Sequence, residues 1–410
     1  MSSSSPNTLS LYPTDTYPTQ VLSLGMGVES CAILLRWILE PDSRDFDLAD
    51  LVVVSSMVGD EFAGTAADMR EVVLPAMREA RIRFVQVGRT QLNTTKAGGG
   101  VRIFSDTRHT TELYIEGAYR LSDELLAGGT VPQRGGSRRC SARAKGGPLD
   151  ATIAKLTGHQ RFSHYIGFHT GEMARVRRDQ EYNTQTRTGH YPLVSWGWSR
   201  QDATAWLLDK TGRTFEKSCC VYCPFSLSTN DGLSRTLERY RYEPDAGARA
   251  LFIEHVSLCL NERQGLMGDR RLIDAVTEAG LHDVLSRFHE KIATVEHALY
   301  EVRRLARPRA TGAPLIARSV RRLHTGSRID LTAELAHMPG RAVTGPDSIT
   351  RMVVRERAQA APWAEAFYVV GPAVVADKAR TQFNTWWADI TDTAPTLFGT
   401  EYLPATKEQS

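Results

Sequence analysis

Short β-rich apolar runs alternate with longer runs of helical spacing through the first half of the chain, and this alternation constrains the fold more than any other feature. Strands that alternate with helices build crossover units, which assemble a parallel sheet with helices packed on its faces. Strands are expected at 21–24, 51–56, 83–87 and 164–168, and helices at 30–39, 66–80, 111–126 and 201–208. From Asp231 onward apolar residues recur at three- and four-residue intervals, over 248–260 and 281–305 in particular, which predicts a mainly helical C-terminal region. The stretch 307–346 is richer in Pro, Gly and Arg and reads as a basic linker or irregular connection. The expected organisation is a flexible Ser/Pro/Thr leader (1–20), an α/β parallel-sheet domain (21–228), a helical region (229–306), that linker, and a small C-terminal region (347–410).

Composition removes several classes. With 410 residues, 41% hydrophobic and 24% charged, the chain has ample material for two or three cores. No apolar run approaches the roughly 18 residues of a membrane span, so no membrane partner is expected. Residues 1–20 contain no Lys or Arg, so neither a secretory nor an Arg-rich transit signal is expected and the cytoplasm is the default compartment. Fifty basic against forty-seven acidic residues leave a net charge of +3, too balanced to argue for nucleic acid. Local clustering must carry that question. Arg303 to Arg328 holds eight arginines, Arg303, Arg304, Arg307, Arg309, Arg318, Arg321, Arg322 and Arg328, with no acidic residue, enough to neutralise several phosphates of a nucleic acid. A solvated helix end followed by a basic linker has the same composition.

The first strand runs into a glycine-bearing turn and then a helix through Ser23-Leu24-Gly25-Met26-Gly27-Val28-Glu29-Ser30. Glycines allow close approach of a ligand to the backbone, and the amides of the following helix attract phosphate oxygens. Ser23 and Ser30 add hydroxyl donors. An ordinary strand-to-helix turn would also use these glycines. The Gly-Lys-Ser/Thr ending of a Walker A loop is absent. The segment instead resembles the pyrophosphate loop (PP-loop) of the adenine nucleotide alpha hydrolase-like superfamily, with Glu29 in place of the usual Asp.

Four further segments, in order, resemble the branch of that superfamily that contains phosphoadenosine phosphosulfate reductase. They are Gly59-Asp60-Glu61-Phe62-Ala63-Gly64-Thr65, with Met57 and Val58 in place of a leading Asp-Thr; Cys140 through Lys145 to Pro148; Gly167 through Glu172 to Arg175; and Pro192 through Trp198 into Ser199-Arg200-Gln201-Asp202. In the last, Ser199 reads as an N-cap with Asp202 closing a capping box. The resemblance spans about Val21 to Ser226 and implies a parallel-sheet nucleotide fold that binds ATP with Mg2+. It implies Ser23, Gly25, Gly27, Glu29, Ser30, Gly59, Glu61, Gly167 and Arg139 as nucleotide-holding residues, and Lys145, Arg175 and Glu172 as catalytic ones. Arg134, Arg138, Arg139, Arg143 and Lys145 form a run without an acid, suited to an anion.

Of six cysteines, Cys219, Cys220 and Cys223 lie within five positions, and Cys220-x-x-Cys223 is followed by Pro224, a spacing compatible with metal-thiolate ligation. In the family fold Cys140 comes near this segment, which implies a 4Fe-4S cluster on Cys140, Cys219, Cys220 and Cys223, or on three of them with one iron open. A structural zinc site and a reactive thiol pair are the alternatives. Cys31 and Cys259 sit in apolar helical patterns and read as buried small residues. No cysteine follows Cys259, so the C-terminal nucleophile of sulfonucleotide reductases is missing. What remains resembles an ATP pyrophosphatase that activates an acceptor for sulfur transfer, as in the DNA phosphorothioation and tRNA thiolation branches, with a cysteine desulfurase as sulfur donor. A reductase-like oxidoreductase and a noncatalytic nucleotide-binding subunit of a modification or defence complex are the other readings.

Overall fold

Six strands form one sheet: β1 (Gln20–Ser23), β2 (Leu51–Met57), β3 (Arg83–Arg89), β4 (Val101–Thr107), β5 (Phe162–Tyr165) and β6 (Arg187–His190), in the order β4-β3-β2-β1-β5-β6. All neighbours are parallel except β4, which runs antiparallel on the edge against β3. The computed structural model describes residues 17–132, 139–268 and 270–392. They divide into two units, one made of residues 17–121 and 139–220 and one of the others.

In the first unit every residue of β2 is buried, as expected of a parallel strand covered on both faces. Leu22, Val53 and Phe84 point to one side, where the helix Val28–Leu39 packs Leu34 and Trp37 against them with Met69 and Met77. Val21, Val52, Val54, Val85 and Val87 point to the other side, toward Ile153 of the helix Gly147–Leu156. The expected helix at 66–80 is interrupted: Ala63–Asp68 and Leu74–Glu79 are joined by the π-helical Met69–Val73. The helix expected at 111–126 begins only at Leu121. The helix Arg200–Thr211 carries the expected capping box, with Ser199 and Asp202 bonding each other's backbone.

The second unit corrects the expectation of a mainly helical C-terminal region. Helices Asn230–Tyr242, Pro244–Leu260, Leu272–Glu278 and His282–Thr294 are followed by an antiparallel five-stranded sheet. Its strands are β7 (His297–Arg307), β8 (Leu315–Gly326), β9 (Arg341–Thr344), β10 (Thr350–Arg355) and β11 (Trp363–Pro372), in the order β8-β7-β11-β10-β9. The apolar spacing over 281–305 therefore belongs to a helix and then a strand. β7 lies between β8 and β11 and is covered on both faces, so its apolar residues do not alternate and continue the helical pattern. Residues 307–346 are not a linker but hold β8, the helix Arg328–Leu335 and β9. Leu305 is fully buried against Phe383, Trp387 and Ile390 of the helix Phe383–Thr391, so Trp387 is a core residue. Cys31 and Cys259 are buried as expected. No helix among the described residues is long and apolar enough to cross a membrane.

Truncating Leu305 tests the sheet assignment. Leu305→Ala is expected to cost about 2–5 kcal/mol in urea unfolding followed by tryptophan fluorescence; an unchanged midpoint would place residue 305 outside a packed core.

Candidate functional site

Strand order reverses at β1: the chain steps outward to β2 and β3 on one side and to β5 and β6 on the other. In open parallel sheets such a reversal leaves a crevice outside the carboxyl ends of the two central strands, where ligands bind. Here the crevice lies beyond Ser23 and Tyr165.

The loop after β1 is tightly determined. The Gly25 amide donates to Ser30 Oγ (3.0 Å), and Ser30 Oγ donates to the Gly27 carbonyl (3.4 Å). Met26 is buried yet has φ +61°, a left-handed conformation held by the surrounding packing. The helix Val28–Leu39 starts at Gly27 without a side-chain cap, so its first amides are presented by the backbone alone. A side chain at Gly27 would put Cβ 2.8 Å from the Ser218 amide, and one at Gly167 would put Cβ 3.1 Å from the Ser30 amide. Gly27 and Gly167 are thus required for the loops to close on this helix terminus, whereas a Cβ at Gly25 would make only ordinary contact.

A polar chain that sequence reasoning missed runs into Ser23. Asp179 Oδ2 accepts from Arg187 (2.7 Å) and from the Tyr191 hydroxyl (2.8 Å). Arg187 Nε donates to His164 Nδ1 (2.9 Å), and His164 Nε2 lies 2.8 Å from Ser23 Oγ. Since a guanidinium only donates, Nδ1 must be the acceptor, and the imidazole hydrogen sits on Nε2, facing Ser23. Burial, and then the Arg187 charge, push the His164 pKa down to about 4. The imidazole therefore donates to Ser23 and cannot take its proton. Ser23 is no activated nucleophile; its own hydroxyl hydrogen is left to be donated elsewhere. No spacing rule would have paired residues 23, 164, 179 and 187, since parallel β1 and β5 bring them together.

The carboxylates around the crevice are paired. Glu29 accepts from Arg200 Nε. Glu172 accepts from Arg175 (2.5 Å) and faces His169 Nε2 (3.6 Å), while the Arg175 guanidinium lies 4.3 Å from the centre of the Phe168 ring. Burial works to raise the Glu172 pKa, but Arg175, His169 and Arg200 together hold it below the ordinary value. Gly59 has φ +86°, and a Cβ there would meet Arg120 Cγ at 2.6 Å. Glu61 is almost fully buried, takes the Lys145 ammonium on one oxygen (2.9 Å) and the Ser218 hydroxyl on the other (3.1 Å), and pairs backbone to backbone with Cys220. Burial opposes the Lys145 charge, but Glu61, Cys220 and Cys219 outweigh it and raise its pKa. Lys145 lies on a π-helical turn, Ala142–Gly146, that the Ser56 hydroxyl anchors through the Ala144 carbonyl (3.0 Å). Such turns are frequent at functional sites.

The structure thus gathers Lys145, Glu61, Ser218, Cys219 and Cys220, with Cys140 on the short helix Arg139–Ser141 that leads into the same turn. Cys223 belongs to the second unit, where its carbonyl accepts from the amides of Ser226 and Leu227. Arg134 and Arg138 lie outside the described residues, as does the side chain of Arg139. None of the six cysteines is in a disulfide. Among the described residues no group of three or more His, Cys, Asp or Glu is arranged to hold a metal ion.

The arginine window 303–328 is split by strand alternation. Arg303 and Arg307 lie over rings of the last helix, Arg303 5.4 Å from Phe383 and Arg307 5.3 Å from Trp386. Arg304 pairs with Glu365 (2.7 Å), Arg321 with Glu301 (2.9 Å), and Arg318 donates to the carbonyls of Gly128 and Gly129. These five of the eight are engaged within the unit, and Arg303 and Arg304, adjacent in β7, lie on opposite sheet faces, so the window does not present one continuous basic surface. No protein-family model, curated protein or solved structure matches this chain.

His164 gives a pH test. Folded, it stays neutral down to about pH 4, whereas an unfolded histidine takes up a proton near 6.5. Between these values the unfolded chain binds more protons, so stability falls as pH drops through the window, by up to about 3 kcal/mol from this group. His164→Gln keeps a donor and an acceptor but cannot titrate. Its unfolding midpoint is expected to fall less steeply than that of the native chain between pH 6.5 and 4; parallel slopes would mean that His164 is solvated.

Proposed function

We propose that the first unit is a PP-loop-like nucleotide site that cleaves ATP between its α and β phosphates to adenylate an acceptor, which is then attacked by sulfur. The observation that carries this reading is the convergence of the Gly25–Gly27 loop and the Gly167 loop on one uncapped helix terminus at the strand-order reversal. Backbone amides and the helix dipole favour a polyphosphate there, with Ser23 donating its hydroxyl hydrogen. ATP enters as its magnesium complex, because Glu29, Glu61 and Glu172 are each already paired with a cation and the metal is best held by the phosphates themselves.

An acceptor oxygen attacks the α-phosphorus, the α–β bridging bond breaks, and pyrophosphate leaves with the electron pair. Arg175, 49% exposed in its side chain, can reach the charge that develops on the phosphates. A sulfur nucleophile then attacks the activated carbon, and AMP departs with the acceptor oxygen. The Lys145 ammonium beside Cys220 suits that thiol to take the outer sulfur of a donor persulfide, such as a cysteine desulfurase's; that sulfur attacks the carbon, and a thiol reductant then cleaves the S–S bond, leaving the thio product and a disulfide between Cys220 and that thiol. No step is routed through a metal cluster.

In calorimetry, MgATP is expected to bind the full chain, and Ser23→Ala to weaken it about 10- to 100-fold, the value of one hydrogen bond to a charged acceptor. Absence of binding heat from the native chain would end the proposal. Cys220→Ser is expected to keep pyrophosphate release and abolish sulfur incorporation; sulfite release from a sulfonucleotide would instead show a reductase. Lys145→Met is best combined with Glu61→Gln, since removing the cation alone strands a buried carboxylate at a cost of about 3–5 kcal/mol. Stoichiometric iron and acid-labile sulfide in anaerobically purified protein would replace the thiol route by a cluster on Cys140, Cys219, Cys220 and Cys223, and stoichiometric zinc by a structural site.

A further inference from the structure

A cavity of about 220 Å3 opens in the second unit, on the sheet face built from alternate residues of β7, β9, β10 and β11. Its walls carry five guanidinium groups, Arg263, Arg304, Arg341, Arg351 and Arg357, against three carboxylates. Most of this charge is matched. Arg304 pairs with Glu365, Arg341 with Glu356, and the buried Arg351 with Asp347 (2.6 Å) while also donating to the Leu258 carbonyl. Arg263, 64% exposed in its side chain, stands 3.8 Å from Glu262 at the rim.

Arg357 is different. Its guanidinium carbon lies over the Trp363 ring, 4.0 Å from the ring centre, and it makes no ion pair among the described residues. Its Nε is buried without a hydrogen-bond partner, and so is the Nε of Arg351, whose side chain is only 6% exposed. Two donors behind this cavity wall are closed off without acceptors, so the donors that Arg357 offers to the cleft are its terminal nitrogens. Water cannot neutralise the surplus cation. An anion with several acceptor oxygens supplies the neutralising charge at the terminal nitrogens of Arg357, and planar guanidinium groups suit the paired oxygens of a phosphoryl group. Burial and repulsion from Arg263 lower the Arg357 pKa, and burial with repulsion from Arg357 lowers that of Arg304, which an anion would relieve.

We propose that this cleft binds the phosphoryl group of a small phosphorylated ligand, held by Arg357 with Arg263 at the rim. The site is independent of the nucleotide crevice and lies wholly within the second unit. The volume accommodates one terminal phosphoryl group with a small substituent, which favours a phosphomonoester over the backbone of a nucleic acid.

The test is calorimetric titration of the full chain at constant ionic strength with inorganic phosphate, phenyl phosphate, and an oligothymidylate lacking terminal phosphate. Phosphate and phenyl phosphate are expected to compete for one saturable site that the oligonucleotide does not occupy. Arg357→Gln is expected to weaken phosphate at least about 10-fold, whereas Arg175→Gln, in the first unit, leaves this binding unchanged. Should Arg357→Gln fail to fold, Arg357→Lys decides: it keeps the charge but loses the fork, and is expected to bind phosphate more weakly than the native chain. Native-like affinity in either folded variant, loss of binding in Arg175→Gln, equal heats with chloride, or binding of the oligonucleotide alone would each overturn the proposal.

Discussion

The pairing of β1 with β2 on one side and β5 on the other is the constraint on which the first unit depends. It sets two strand ends side by side at the point where the sheet changes direction, so the loops that leave them must share one space. Two glycines make that possible: Gly27 lets the first loop pass the Ser218 backbone, and Gly167 lets the second rest on the amide of Ser30. The same pairing puts His164 within reach of Ser23, and the orientation of that imidazole is dictated from behind by Arg187. The glycine loop after β1, the Ser23 hydroxyl and its buried support are therefore one consequence of strand order.

Around that centre the ion pairs follow a common pattern. Lys145 with Glu61, Arg175 with Glu172 and Arg200 with Glu29 each join a residue near one strand end to another near the crevice. Pairs of this kind contribute little net stability when solvated and are costly to break when buried. Glu61, at 1% side-chain exposure, is the buried extreme; Arg175, at 49%, is the solvated one and has the freedom to change partners. The distinction separates the residue that organises the site from the one able to move within it.

Much of the first unit was legible in the sequence. β1, β2 and β3 each carry adjacent apolar residues, Val21-Leu22, Leu51 to Val54 and Phe84-Val85, because both faces of a parallel sheet are covered, and the Ser199–Asp202 box announces its helix. The edge strands were not legible: β6 reads Arg-Thr-Gly-His, with no apolar residue, and β4 is half exposed beside three consecutive glycines. In the second unit β7 hid behind its double-sided burial, and β8 hid because its arginines are anchored by partners distant in sequence, as Arg318 is by the carbonyls of Gly128 and Gly129. The glycines and hydroxyls of the loop after β1 could be read from residue order as a candidate site; the His164 chain and the arginine cleft exist only after the strands are registered.

One connection has a consequence for how the chain is made. Residues 122–132 belong with the second unit, yet the ribosome delivers them before the last strands of the first. Their carbonyl partner Arg318 follows about 190 positions later. At bacterial-to-eukaryotic elongation speeds of about 5–20 residues per second, that is a wait of roughly 10–40 seconds. During this interval the segment's partner in the second unit has not yet been synthesised. Any attempt to express either unit from a single cut in the gene would divide this segment from one of its neighbours.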